Sequence, residues 1–309
     1  MANADSIGWM GVPLAVVAGA IRGSPPFLFV SLGECLTEKS GRINLGLEGT
    51  LLMGAMSAYA VSYKTGSPWL GLLVAGGAGL VLGLIHAWLA QRPRLNDVAV
   101  GIAMMIFGSG LAFFLGKPFI QPMAPALPVW ELGNWSGSPQ VRSALKLSPL
   151  LPGGIVLAFV MYWMFLSTRW GMFVRAVGDK PDAARAMGIS VVKTRTLSIM
   201  SGGFLAGLGG AYLSLVYPGS WTELVSSGQG LMAVALVIFA RWDPRHCLYA
   251  SLLFGGAQAV GPALQAAGIQ SYYYLFNAAP YILTLAIMIL TCTPKRTLAG
   301  APGALTTGD

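Results

Sequence analysis

The chain has 309 residues, of which 55% are hydrophobic and 10% are charged. A soluble domain carries about 25% charged residues, so this composition excludes an ordinary soluble fold. Together with a mean hydropathy of +0.67, it predicts an all-α polytopic membrane protein.

Apolar stretches long enough to cross a membrane recur along the whole chain. A window of about 20 residues predicts about nine transmembrane spans, within a range of about eight to ten. The first contains Arg22 and Pro25-Pro26, and the seventh is short enough to be re-entrant or a broken helix. The stretches lie near residues 11–33, 46–63, 69–89, 97–116, 148–167, 197–217, 228–241, 246–266 and 274–292.

The distribution of Lys and Arg predicts the orientation of these spans. Fourteen of the 19 cations lie in loops on one side of the predicted membrane, and five lie on the other. By the positive-inside rule the richer side is cytoplasmic, which places the N-terminus outside and the C-terminus inside. The net charge of +8 therefore marks a membrane face and does not indicate a nucleic-acid partner. The fourteen are Lys39, Arg42, Arg92, Arg94, Arg169, Arg175, Lys180, Arg185, Lys193, Arg195, Arg241, Arg245, Lys295 and Arg296.

The termini and the cysteines give two smaller predictions. No cationic segment precedes the first apolar run, so a cleavable signal peptide is not expected. Cys35, Cys247 and Cys292 lack metal-ligand spacing, and we expect free reduced thiols.

The predicted topology divides one transmembrane domain, residues 1–309, into parts of opposite sense. The spans of the first half run in the direction opposite to those of the second half, which is compatible with an inverted repeat and broken helices around a central path. Gly46–Gly49 opens the second span and Gly228–Met232 opens the seventh, a faint similarity. The parts are a first half 11–116, an outer loop 117–147, a linking span 148–167, a cytoplasmic loop 168–196, a second half 197–292 and a cytoplasmic tail 293–309.

The segment 34–49 between the first two spans has the densest charge beside any apolar run. A solvated cytoplasmic turn explains Glu38, Lys39 and Arg42. Asn44 and Glu48 lead directly into a span, where a carboxylate normally faces protein or water. Glu48 has two alternatives, an ion pair with Arg42 or contact with a transported substrate.

The cytoplasmic loop 168–196 contains a predicted short helix. Asp179 can cap its start, Pro181 suits its first turn, and Asp182 lies beside the positive end of its dipole. Gly188 is placed for the left-handed conformation after the last turn. The helix is either a plain surface helix or a contact for a soluble partner.

Four other features of the sequence each support one limited interpretation. The prolines of the outer loop, among them Pro118 and Pro139, exclude a long helix there, and its tryptophans suit a membrane interface or an extracytoplasmic partner. Asn96-Asp97 favours a helix cap over substrate contact. His86 and His246 are isolated, which favours packing over proton transfer.

No nucleotide-binding or hydrolase motif is present in the sequence, so the energy for transport must come from a partner or a gradient.

At two of these segments the sequence resembles a known family. Residues 37–49, TEKSGRINLGLEG, are similar to the E-[RK]-S/A-G-x-x-N-[LI]-G-x-E-G signature of ABC-transporter permeases of the branched-chain amino acid, simple-sugar and nucleoside superfamily. Residues 175–189 resemble the cytoplasmic loop of that family, and the likeness continues through 201–207 and 228–242. It covers nearly the whole chain from about residue 24. Asp97 departs from the family's pattern, in which Glu is expected.

Within the superfamily, residues 44–49 are most similar to the nucleoside-import branch, in which two different permeases pair. The N-F-A-H-G-E pattern of amino acid permeases is absent. The resemblance implies a non-enzymatic subunit of a bacterial cytoplasmic-membrane importer, paired with a second homologous permease and served by a separate ATPase and an extracytoplasmic binding lipoprotein. The chain itself needs no cofactor, since ATP and Mg bind the ATPase.

The resemblance also implies roles for two groups of residues. The substrate path would include Asn44, Gly46, Glu48, Gly49, Gly228 and Gln229. The helix that couples to the ATPase would include Asp179, Pro181, Asp182, Ala183, Ala184, Arg185, Met187 and Gly188. Alternatives to a nucleoside importer are an importer of sugars or branched-chain amino acids, a gradient-driven carrier and a membrane scaffold. A carrier would need more ionisable groups deep in its spans than Glu48 and Glu34.

Overall fold

The computed structural model describes residues 11–120, 122–136, 141–142, 145–268, 276, 278–291 and 300–307. In these residues the protein is a bundle of α-helices. The first five are α1 (Gly11–Lys39), α2 (Leu47–Thr65), α3 (Pro68–Ala90), α4 (Asp97–Gly116) and α5 (Leu150–Ser167). They are followed by α6 (Arg169–Asp179), α7 (Pro181–Ala186), α8 (Val191–Leu215), α9 (Gln229–Phe239), α10 (Pro244–Ala266), α11 (Ala279–Thr291) and α12 (Gly303–Thr307).

The helices confirm a polytopic membrane protein, although the count of nine spans stays a prediction. Within the described residues, six helices are long and apolar enough to cross a membrane, namely α1, α3, α4 with the turn after it, α5, α8 and α10. The other three predicted stretches contain α2, the 11-residue α9 and α11. Part of the stretch 274–292, including Cys292, lies outside the described residues.

Polar residues before several helices explain where these helices begin. Asn96 accepts a hydrogen bond from the Val98 N–H at 2.7 Å, which confirms its predicted role as the cap of α4. Ser67 accepts from the Leu70 N–H at the start of α3, and Asp243 accepts from the Arg245 N–H at the start of α10. Each side chain satisfies a backbone donor that has no partner within its helix.

The two halves pack against each other in a reciprocal pattern. The first helix of each half, α1 or α8, packs along the third helix of the other half, so that α1 lies on α10 and α8 on α3. The helices α1 and α8 also pack on each other at the centre, and α2 packs on α8 while α9 packs on α1. The linking helix α5 contacts α1 and α10.

Glycines allow the long helices to approach closely. An added Cβ at Gly79 of α3 would collide with the carbonyl oxygen of Gly203 in α8, and one at Gly83 would lie 2.9 Å from the Ile199 carbonyl. The matching contact between α1 and α10 places Gly23 against Gly255. The missing side chains of Gly79, Gly83 and Gly203 therefore let these helix backbones pack closely.

Loops gather at two opposite ends of the bundle. We call the end that carries α7 the α7 face; there Arg42 pairs with Asp97, and Gln91 donates to Thr196 at 2.8 Å. At the opposite end the Tyr59 hydroxyl donates to the Pro122 carbonyl at 2.8 Å. The α1–α2 and α3–α4 links therefore lie at one end of the bundle, and the start of the outer loop lies at the other.

The outer loop contains no long helix in its described part, as the prolines predicted; Pro139 lies outside the described residues. It contains β1 (Trp130–Glu131) and β2 (Lys146–Leu147), a two-residue antiparallel ladder that the all-α prediction missed. Trp135 in this loop is 78% exposed.

Candidate functional site

The link between α1 and α2 turns back into the bundle. α1 ends at Lys39 on the α7 face, yet the Asn44 N–H donates to Glu34 Oε1 at 2.7 Å. Glu34 lies five residues before the end of α1, a rise of about 7 Å. The link, residues 40–46, has therefore turned back inside the bundle before α2 begins.

Polar side chains from α4 and from the link itself hold this turn. Arg42 binds Asp97 at 2.7 Å, and the Ile43 N–H donates to the same carboxylate at 3.4 Å. The Gly46 N–H donates to Asn44 Oδ1 at 3.0 Å. The alternative of an ion pair between Arg42 and Glu48 is wrong, because the partner of Arg42 is Asp97.

Glu48 instead caps a helix of the other half. Its Oε1 accepts from the Ser226 hydroxyl at 2.6 Å and from the Gly228 N–H at 3.1 Å. Its Oε2 accepts from the Gly230 N–H at 2.6 Å. Gly228 has φ of +80° immediately before α9 begins, so its backbone points towards the carboxylate.

The electrostatics of this cap explain a buried carboxylate without a cation. Glu48 is 8% exposed and forms no ion pair within the part of the chain that the structure describes. A helix N-terminus carries a partial positive charge of about half a unit, and hydrogen bonds to an ionised group contribute about 1.5–3 kcal/mol each. The start of α9 therefore replaces the missing cation.

The cap lies near the middle of the bundle. α9 has 11 residues, or about 16 Å, and Trp242 follows it on the α7 face. There the Trp242 indole N–H donates to Glu38 near the end of α1, and its carbonyl accepts from the Cys35 thiol at 3.3 Å. About 16 Å is half the thickness of a bilayer's hydrocarbon core, so α9 by itself is too short to cross that core, which is compatible with the predicted re-entrant or broken helix.

The predicted path residues are brought together, but most of them have structural contacts. Gly49 packs against the Met105 carbonyl of α4, and a Cβ at Gly46 would lie 2.8 Å from Met104 Cβ. The Gly228 N–H donates a hydrogen bond to the Glu48 carboxylate. Gln229 Oε1 is buried and has no hydrogen-bond partner among the described residues.

Sequence reasoning missed several residues of this region. These residues are Ser226 and Gly230, which donate to the Glu48 carboxylate, and Arg195 of α8, whose Nε donates to the Ser40 carbonyl at 3.1 Å. The sequence indicated Glu34 only as a deep ionisable group, and the structure shows that it accepts from the Asn44 N–H. The role of Gly230 was visible in the sequence, since Gly230 follows Gly228 at a spacing at which both backbone N–H groups can bind one capping carboxylate. Cys35 and Cys247 are free, as predicted, and the structure also shows that both are buried.

The loop on the α7 face contains two helices where one was predicted. Thr168 caps α6, accepting from the Gly171 N–H at 3.1 Å, and α6 continues through Asp179. The N-cap of α7 is Lys180, so the prediction that Asp179 caps this helix is wrong. The reason is that the Lys180 N–H still donates to the Ala176 carbonyl of α6.

The remaining features of α7 agree with the sequence. Pro181 begins the helix, Asp182 pairs with Arg185 at 2.9 Å on the surface, and Gly188 has φ of +79°. Ala184 is 2% exposed and packs with Val177 and Val191.

The outward surface of α7 is therefore available to a partner, and Ala184 is not part of it. Met187 is 78% exposed, and the other exposed residues are Asp182, Ala183, Arg185 and Ala186.

The sequence is similar to those of known transport proteins. The family described as "Branched-chain amino acid transport system / permease component" matches residues 16–292. A putative glucose ABC transporter permease protein, TsgC13 of Haloferax volcanii, is 34% identical over 80% of the chain and 76% of its own length. The guanosine ABC transporter permease protein NupQ of Bacillus subtilis is 32% identical over 87% and 89%. The nucleoside ABC transporter permease protein NupC of Lactococcus lactis is 29% identical over 89% and 91%.

Proposed function

The chain belongs to the family of branched-chain amino acid transport system permease components, and from that premise we propose that it forms the translocation path of a bacterial ABC importer for nucleosides. The observation that carries the class is the match of the family over residues 16–292. Two relatives that each cover most of this chain are named for guanosine or nucleoside transport, which supports the cargo.

The second candidate cargo is a sugar. The relative that is 34% identical is a putative glucose permease, and glucose shares with nucleosides an uncharged, polyhydroxylated character. Branched-chain amino acids are a weaker alternative, because the residues 44–49 lack the pattern of amino acid permeases.

We infer that the two halves are an inverted repeat and that the path runs between them. The reciprocal packing of α1 on α10 and α8 on α3 supports this. An inverted repeat brings two half-helices to the middle of the membrane, where Glu48 meets the start of α9. Asn44, Gly46, Glu48, Gly49, Gly228 and Gln229 border this junction.

The α7 face is proposed to be cytoplasmic, with the N-terminus outside. Most of the chain's cations belong to that face, as the positive-inside rule requires. A separate ATPase would bind ATP and Mg and press on the outward surface of α7, so that its closure switches the side to which the path opens. A second homologous permease and an extracytoplasmic binding lipoprotein complete the proposed complex, in the bacterial cytoplasmic membrane.

Uptake by the reconstituted complex tests the cargo. Radiolabelled uridine and adenosine should accumulate in an ATP-dependent manner, while glucose and leucine should not. Uptake of glucose alone would replace the nucleoside proposal with the sugar proposal. Uptake driven by an ion gradient without ATP would refute the ABC importer.

The role of α7 has a separate test with matched variants. Met187→Glu places a charge on the exposed surface, and it should weaken ATPase binding about tenfold or more, since a central contact contributes over 1 kcal/mol. Val192→Glu, at a residue that is 61% exposed on α8, is the control. Equal ATPase binding by both variants and the native chain would contradict the assignment of α7.

A further inference from the structure

Residues 300–307, near the end of the chain, lie against the base of α7. The short helix α12 contacts α6, and Ala304 within it is 5% exposed. An added Cβ at Gly303 would collide with the carbonyl oxygen of Asp179, the last residue of α6. The tail therefore touches the backbone immediately before the residue that caps α7.

The same part of the tail touches the link between α1 and α2. A Cβ built on Gly41 would lie 3.0 Å from Ala304 Cβ. A Cβ on Gly178 of α6 would collide with the Lys39 carbonyl oxygen. Three segments that are distant in sequence, namely the link, the end of α6 and the tail, thus meet without room for one additional carbon atom.

Gly300 and Pro302, at the start of the described segment 300–307, are also held in place. A Cβ on Gly300 would lie 3.2 Å from the Arg241 carbonyl oxygen, in the turn between α9 and α10. Pro302 is buried, and its carbonyl accepts from the Leu305 N–H at 3.1 Å. Residues 300–307 therefore extend from the α9–α10 turn to the junction of α6 and α7.

We propose that residues 300–307 form a strap that positions α7 and transmits its displacement to the link between α1 and α2. The link leads through Asn44 to Glu48, which holds the start of α9, so a push on α7 has a continuous packed route to the middle of the membrane. This inference rests on the proposed function, because α7 is there assigned as the contact of the ATPase.

Hydrogen exchange in the purified chain tests the positioning role without any partner. A chain that ends at residue 299 is compared with a control chain that ends at residue 307, which keeps the strap. We expect the amides of residues 169–186 to exchange about fivefold faster or more in the shorter chain, because local opening then breaks fewer contacts. Equal exchange in the two chains would overturn the proposal.

The assembled complex tests the transmission role. We expect the shorter chain to lower solute uptake by about 2-fold to 30-fold, the range for residues on a coupling route. The number of ATP molecules hydrolysed per solute should rise by a similar factor. An unchanged ratio, with the same amount of complex, would overturn transmission, since a purely structural tail would change only assembly and melting temperature.

A point variant covers the case in which the shorter chain does not assemble. Gly303→Ala adds only the carbon atom that collides with the Asp179 carbonyl, and it should reproduce both effects in the full-length chain. Normal exchange and a normal ATP ratio in this variant would overturn the proposal. If the native complex carries no solute, the proposed function fails, while the exchange measurement still decides the positioning role.

Discussion

Replacement of Glu48 tests whether the two halves are held together at the centre of the bundle. The Glu48 carboxylate accepts three hydrogen bonds, from the Ser226 hydroxyl and from the N–H groups of Gly228 and Gly230. All three donors lie in the second half, about 180 residues away in sequence. Glu48→Ala removes every acceptor at once.

The expected cost follows from the donors that are left without a partner. A buried unsatisfied donor costs about 1–3 kcal/mol, and neighbouring losses are not additive, so Glu48→Ala should lower the free energy of unfolding by roughly 3–6 kcal/mol. Glu48→Gln keeps one oxygen for two donors but turns an NH₂ group towards the third, which should cost about 2–4 kcal/mol. Ser226→Ala removes a single bond to the carboxylate and should cost about 1.5–3 kcal/mol.

SDS titration of the purified chain in mixed micelles measures these differences. The control is Ser57→Ala in the same helix, because the Ser57 hydroxyl donates only to the Gly54 carbonyl of its own helix, and its loss should cost less than about 1 kcal/mol. If Glu48→Ala costs no more than this control, the reasoning about the cap is refuted.

Three further predictions concern the packing, the loops and the pH dependence. Gly79→Ala should lower the free energy of unfolding by about 2 kcal/mol or more, because the added Cβ overpacks the contact between α3 and α8. The control is Gly77→Ala on the same helix, where a Cβ meets nothing within 4 Å, and it should be neutral or stabilising by up to about 1 kcal/mol. Equal effects of the two variants in SDS titration would contradict the close approach of α3 and α8. Trp221→Phe keeps the buried ring but loses the indole hydrogen bond to the last carbonyl of α4, so the same titration should show a loss of about 1–2 kcal/mol, and no loss would show that the bond is not formed. Burial raises the pKa of Asp243, but hydrogen bonds from Arg245 outweigh burial and leave that pKa below its usual value. The resulting stability is present above about pH 4, the pKa of Asp in the unfolded chain, and is lost as the pH falls through the lower pKa of the folded chain. Melting temperatures from pH 3 to 6 should show this loss in the native chain and not in Asp243→Asn.

Local signals in the sequence account for most of the helices. The apolar stretches locate the helices because a backbone in lipid must satisfy its own hydrogen bonds. Caps such as Asn96, and the glycine after α7, act within three or four residues, so their effect is visible in a short window. The length of the seventh stretch, from which a re-entrant or broken helix was predicted, is likewise visible in a short window.

Local signals failed where two strong tendencies competed. The prediction that Asp179 caps α7 relied on the preference of Asp for caps, but α6 continues through this residue and leaves the cap to Lys180. The outer loop offered prolines and tryptophans, from which a two-residue strand pair cannot be anticipated, since its register pairs residues that are 15 and 17 positions apart.

The sequence by itself determined that this protein is a helical membrane protein of the permease family, because hydropathy and the motifs of residues 37–49 and 175–189 are local. Only the tertiary structure decided which charged groups meet. The sequence offered Glu48 as an ion-pair partner of Arg42, whereas the closure of the link against α4 selected Asp97. Glu48 found its partners at residues 226–230, because packing of the two halves places the start of α9 beside the start of α2. A carboxylate in the bundle takes the nearest donors in space, and those donors are set by helix packing, which no local pattern records.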